Sequence, residues 1–281
     1  AKGHRLMVGI RPLEMQNWLE VDEHRISELA EKAKLQSRLD AIHAVLDVAQ
    51  PAVSEVYQLV LSNLAEFHDD VFEIDFDQKS ILDKQRNIRS TAAKPLLALG
   101  EQLQEDFCIM SPYEGEWILS AAILYSPSRW QLLEKIGKNL NGIHTPVPEY
   151  ENRLGKAVEQ LFDRLEVGKP VWRTNWTILD NPINFQPAPP SLAERKQLTD
   201  LNLLDELHFR VERQTLLKLP ITGHVVFTIR TYVNTLQELL LAKAENRELL
   251  LTNLQTTSDE HVEYRGWQEI KPRLIEYLQN K

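Results

Sequence analysis

The spacing of apolar and polar positions changes character along the chain. From Asp22 to about Ala49, Ile26, Leu29, Ala33, Leu39, Ile42 and Val45 recur at helical intervals among charges, and Pro51 ends the run. A second helix is predicted over "PAVSEVYQLVLSNLAEFH", with Pro51 in its first turn and Val56, Leu59, Val60 and Leu64 on one side. Residues 69–93 read as polar and irregular, and a short helix follows around "AAKPLLALGEQLQ".

The pattern then turns to short runs rich in aromatic and β-branched residues. "DFCIMSP" and "EWILSAAILYS", separated by "YEG", predict a hairpin. Two helices are expected next: "PSRWQLLEKIG", and "EYENRLGKAVEQLFDRL" with its stripe of Leu154, Val158, Leu161, Phe162 and Leu165; His144 lies in the connection between them. Three strands follow, "PVWRTNWTIL", "ELHFRVERQTLLKL" and "HVVFTIRTYV", the first two separated by the proline-rich loop "DNPINFQPAPPS" and the last two joined through "PITG". The C-terminus returns to helix in "TLQELLLAKAENRELLLTNLQ" and "YRGWQEIKPRLIEYLQ". The order β-β-α-α-β-β-β between helical segments predicts an α+β fold: a PAS-like five-stranded antiparallel sheet with N- and C-terminal helical extensions. The expected boundaries are 1–105 for the N-terminal extension, 106–233 for the PAS-like core and 234–281 for the C-terminal helices.

Strand alternation sorts side chains by face. It puts Trp172, Trp176 and Ile178 with Leu207, Phe209 and Val211 and with Val225, Phe227 and Ile229 on one apolar face, the expected wall of a ligand pocket. The opposite face would carry Arg173, Asn175, His208, Arg210, Glu212, Gln214, His224, Thr228 and Arg230, as a solvated or salt-bridged surface or as guanidiniums that bind carboxylates. Arg213 falls by parity on the apolar face, where its charge needs a partner.

Composition narrows the function classes. Net charge is −9, which disfavours nucleic acid and anionic membranes as partners. Cys108 is the sole cysteine, so this chain has neither an internal disulfide nor the ligands for its own iron–sulfur cluster, and a buried inert thiol is expected there. No apolar run approaches the ~20 residues of a membrane span, and the start lacks a signal-peptide core, so the expectation is a cytoplasmic protein. Motifs for zinc, a P-loop, a dinucleotide fold or a nucleophile elbow are absent from the sequence. His208 and His224 are a pair that adjacent strands could bring together. His144, in "IHTPVPEY", has two readings. It is a structural turn residue, or a neutral imidazole presented by a backbone stiffened at Pro146 and Pro148, able to give its lone pair to a heme iron.

The segments "GHRLMVGIRPL", "IHTPVPEY", "PVWRTNWTILD" and "FRVERQTLLKLPITGHVVFTIRTYV" together resemble the heme-dependent oxidative N-demethylase alpha-subunit-like family, from about residue 3 to beyond 240. The resemblance implies a PAS-like domain holding heme b that uses O2 to remove a methyl group from a small secondary amine, such as dimethylamine, with release of formaldehyde. It also implies electrons from NADPH through separate flavin and ferredoxin-type iron–sulfur partners. Within that frame His144 is the expected iron ligand. Asn175, Trp176, Arg213 and Arg230 are the expected cofactor contacts, while Tyr125, Glu212 and Arg213 are candidates for hydrogen bonding or proton positioning at the reaction. The alternatives are a heme-based PAS-like sensor or binding protein, and a scaffold without cofactor.

Overall fold

The computed structural model describes residues 9–189, 198–199 and 201–280. The first residues of "GHRLMVGIRPL" and the end of the proline-rich loop, from Pro190, lie outside them.

Ten strands form two antiparallel sheets. The large sheet contains β1 (Arg11–Pro12), β2 (His43–Val45), β6 (Asp106–Tyr113), β7 (Glu116–Ile123), β8 (Val171–Leu179), β9 (His208–Lys218) and β10 (Val225–Thr235), in the order β1-β8-β9-β10-β6-β7-β2. The five expected strands form its centre, but the sheet is seven-stranded because two short pieces of the N-terminal segment add to its edges. The small sheet is β3 (Phe72–Asp75), β4 (Ser80–Asp83) and β5 (Ile88–Thr91), within the stretch expected to be irregular.

Local chemistry explains the other departures. The expected helix over 22–49 is helical at Arg25–Ala33 and Leu39–Ile42, then gives way to β2, because pairing with the free side of β7 outweighs helix propensity there. The expected helix beginning at Pro127 shrinks to Leu132–Lys135. Backbone upstream of it bonds instead to the loop, with Arg129 N–H donating to the Gln186 carbonyl at 2.6 Å and Gln186 N–H to the Pro127 carbonyl at 3.1 Å. Near the C-terminus, Gly266 adopts a left-handed φ of 69°, and the Trp267 N–H returns to the Val262 carbonyl, ending Asp259–Arg265 before helix Ile270–Asn280 begins.

The register also corrects one face assignment. Arg230 pairs with Arg213 and Thr228 with Thr215, whereas Phe227 pairs with Leu216 and Ile229 with Gln214. Val225, Phe227 and Ile229 therefore share a face with Arg173, Asn175 and Glu212, not with Trp172 and Trp176. The first face carries Phe107, Ile109, Ile123, Leu217 and Val226 against helix Gln50–Phe67, and Trp176, Ile178 and Phe209 against the C-terminal helices. The second carries Cys108, Met110, Leu119, Leu216 and Val225 under the 130–165 connection.

Candidate functional site

The chemistry of the second face begins in the connection that covers it. Asn139 caps a one-turn helix, Leu140–His144, its side chain accepting from the Gly142 N–H at 2.8 Å. At the end of that turn His144 places Nδ1 2.8 Å from the Leu140 carbonyl oxygen. A carbonyl only accepts, so Nδ1 carries the proton and Nε2 keeps its lone pair. Burial, countered by that hydrogen bond and reinforced by the nearby charges of Lys135 and Arg173, pushes the imidazole down to about 4. His144 is thus neutral at physiological pH.

Beyond His144 the chain folds back on itself. Val147 N–H donates to the His144 carbonyl at 2.8 Å and Tyr150 N–H to the Val147 carbonyl at 3.2 Å, with Glu149 in the left-handed region at φ 57°. This turn lays the Tyr150 ring on the imidazole, centroids 4.1 Å apart and planes 12° from parallel. Tyr150 leads into a π-helical segment, Glu151–Gly155, a geometry common at functional sites. A Cβ at Gly155 would sit 2.6 Å from the Asn141 side-chain oxygen, so a larger residue there would displace that side chain.

Opposite this turn the sheet presents a polar group. Glu212 accepts from Gln214 at 3.0 Å and from Asn175 at 3.5 Å, and lies 3.5 Å from Arg210 Nε. Arg210 also donates to the carbonyls of Ser126 at 2.6 Å and Asn184 at 3.1 Å. Arg173, on the same face, has a buried Nε without a hydrogen-bond partner. Lys135 reaches over the Trp130 ring at 4.6 Å, and burial lowers its ammonium to about 8.

Of the residues expected to hold the cofactor or act in the reaction, His144, Asn175 and Glu212 belong to this side of the sheet, while Tyr125, Trp176, Arg213 and Arg230 lie elsewhere. Tyr125 is packed in the first-face core, its ring 4.8 Å from Lys32 Nζ. Trp176 stacks between Phe209 and Trp267, with Arg265 against it. Arg213 pairs with Glu20 at 3.3 Å and donates to backbone carbonyls of Asn17 and Trp18. Arg230 pairs with Asp22 at 2.7 Å and Glu28 at 2.8 Å. The two strand histidines do not meet: His208 faces Thr235 at one end of the β9–β10 hairpin, and His224 precedes β10 at the other. Sequence reasoning passed over Tyr150 as a functional group, although it closes the very motif that singled out His144; the aromatic after a double-proline turn was the available signal.

Among the described residues no three His, Cys, Asp or Glu side chains gather to hold a metal ion. No helix is long and apolar enough to cross a membrane, among the described residues. The family model described as "Haem-dependent oxidative N-demethylase, alpha subunit-like" matches residues 9–275.

Proposed function

Because the chain belongs to the haem-dependent oxidative N-demethylase, alpha subunit-like family, we propose that it is the heme-bearing subunit of an oxygenase that demethylates a small secondary amine. The observation that carries this reading is His144, neutral, with Nδ1 committed to the Leu140 carbonyl and Nε2 retaining its lone pair. A heme site needs one such imidazole, oriented by a hydrogen bond on its other nitrogen, with the macrocycle gripped by surrounding side chains. Cys108 is a poorer donor: burial, then the Asp106 carboxylate, pushes its thiol up and favours the protonated form. The antiparallel order β8-β9-β10-β6-β7, with connecting helices over one face, supports a PAS-like core within 106–233.

Heme b, held through His144, would supply the iron that binds and activates O2. The chain's own residues orient and exclude. Stacking on Tyr150 restricts rotation of the imidazole, and the Leu140 bond fixes its tautomer. Asn175, Gln214 and Arg210 hold the Glu212 carboxylate in one place. Lys135 Nζ, with its proton affinity lowered to about 8, can hold or release a proton near neutral pH. Trp176, Arg213, Arg230 and Tyr125 support the sheet and its N-terminal packing in this reading. Electrons would come from NADPH through flavin and iron–sulfur partners, since Cys108 alone cannot hold a cluster.

The test is the absorbance spectrum of the purified protein after hemin addition. A Soret band is expected, and His144→Ala should weaken hemin binding or change the iron's spin state; an unaltered spectrum in that variant overturns the assignment of His144. With NADPH, a reductase and small amines, the loaded protein should release formaldehyde. Heme uptake without formaldehyde from any amine would favour a sensing or binding role instead.

A further inference from the structure

On the second face Arg173 is matched only by electrostatic attraction to Glu212, without a hydrogen bond to it. Arg210 is committed to Glu212 and to two backbone carbonyls, and the Glu212 oxygens already accept from Asn175 and Gln214. Arg173 has no such commitments: its Nε is buried without a hydrogen-bond partner. The Tyr150 hydroxyl, close enough to Arg173 for each to alter the other's proton affinity, is likewise buried and without a partner. Both groups are donors near His144, Tyr150 by stacking on its ring and Arg173 by acting on its charge, and a buried donor left without an acceptor is unfavourable unless a ligand completes it.

The chemistry of the missing acceptor follows from these donors. One guanidinium fork and one phenol hydroxyl match the two oxygens and single charge of a carboxylate. We propose that Arg173 and the Tyr150 hydroxyl form a carboxylate-binding site beside His144. The carboxylate has two possible sources. One is a propionate of the cofactor, which rests on the heme reading above; the other is the substrate itself, which would make the preferred amine an N-methyl amino acid rather than a simple dialkylamine.

Two matched probe pairs separate the sources: hemin against its dimethyl ester, and N-methylglycine against dimethylamine. Binding of the porphyrins is followed by the Soret band, and binding of the amines by its displacement in the loaded protein. In at least one pair the wild type should prefer the carboxylate-bearing member by about tenfold to a hundredfold, the worth of a charge-assisted bond. Arg173→Gln should abolish that preference, Tyr150→Phe should reduce it, and Arg173→Lys should restore part of it. Loss in the porphyrin pair assigns the site to a propionate, and loss in the amine pair assigns it to the substrate. If the wild type shows no preference in either pair, or a folded Arg173→Gln protein keeps it, the proposal is overturned while the heme reading stands. If neither porphyrin binds, the heme reading fails, and calorimetry of the amine pair on the heme-free chain still decides the carboxylate site.

Discussion

The two faces of the large sheet differ in how their arginines are matched, although both keep buried polar atoms without a hydrogen-bond partner, Trp18 Nε1 and Asn63 Oδ1 among them on the first. On the first face Arg230 is matched by Asp22 and Glu28, Arg213 by Glu20, and Lys32 by Asp106 and by the carbonyls of Leu103 and Glu105. These contacts tie the N-terminal segment to the strands. On the second face the Arg173 Nε, the Tyr150 hydroxyl and the Asn141 side-chain oxygen have no hydrogen-bond partner among the described residues. Satisfied networks hold architecture together, whereas buried groups left unsatisfied cost stability and call for a role outside the fold.

The largest test of this contrast removes one arginine from each face. Arg230→Met should lower the unfolding free energy by about 3 kcal/mol, towards the low end for a broken buried pair because Asp22 and Glu28 are each 24% exposed. Arg173→Met, made in the heme-free chain, should stay within about 1 kcal/mol of wild type, since it removes an attraction to Glu212 but no hydrogen bond and relieves a buried Nε without a partner. Urea denaturation gives both values. Equal losses would show that the faces do not differ in this way.

A second test uses pH. Burial raises Glu105 from the usual 4.5 to about 7, against opposing contributions from the Glu20 N–H, Arg230 and Lys32, and its Oε2 has no hydrogen-bond partner. The folded state therefore holds this proton more tightly than the unfolded chain. Stability from this group is present below about pH 4.5 and is lost as pH rises towards 7, by roughly 3 kcal/mol. Asp22 and Asp83, both lowered, add the opposite slope only below the ordinary aspartate range near 3.8. The lowered imidazoles of His43, His68 and His144 give the opposite slope over much of the same range, so the expected signal is a difference: between pH 5 and 7.5 the wild-type urea midpoint should fall relative to that of Glu105→Gln as pH rises. An identical slope in that variant would remove Glu105 from the account.

These contrasts also explain what was legible in the sequence. The five central strands announced themselves through aromatic and β-branched runs bounded by turn residues. The small sheet did not, because its strands are four residues each and its turns use Lys79 and Asn87, rather than glycine, in the left-handed region. The phase of β10 was hidden for a different reason. Val225 and Val226 are both fully buried on opposite faces, so its pattern carries no clear inside and outside, and the connection through 219–224 sets the register. Arg213 and Arg230 looked like anion binders because type and parity do not show that Glu20, Asp22 and Glu28 lie almost 200 residues away in sequence but alongside in space. His144 was conspicuous by its prolyl context. Its tautomer was not, since that depends on a carbonyl one helical turn earlier.

The smallest expected effect is the sharpest probe of the comparison, because it removes a single oxygen from each side. Tyr57, under the first face, donates its hydroxyl to the Lys79 carbonyl at 3.0 Å; Tyr57→Phe removes this bond, leaving that carbonyl the Ala92 N–H at 3.2 Å, and should cost about 1 kcal/mol. Tyr150→Phe keeps the ring on His144 but removes a hydroxyl that has no partner, so its desolvation cost disappears with it. In the heme-free chain the expected result is no loss, or a gain of up to about 1 kcal/mol. The same oxygen should become favourable once a carboxylate occupies the site, reversing the sign of the Tyr150→Phe effect in the loaded protein. A loss in the heme-free chain equal to that of Tyr57→Phe would mean that the hydroxyl is already satisfied, and the contrast between these two tyrosines would fall.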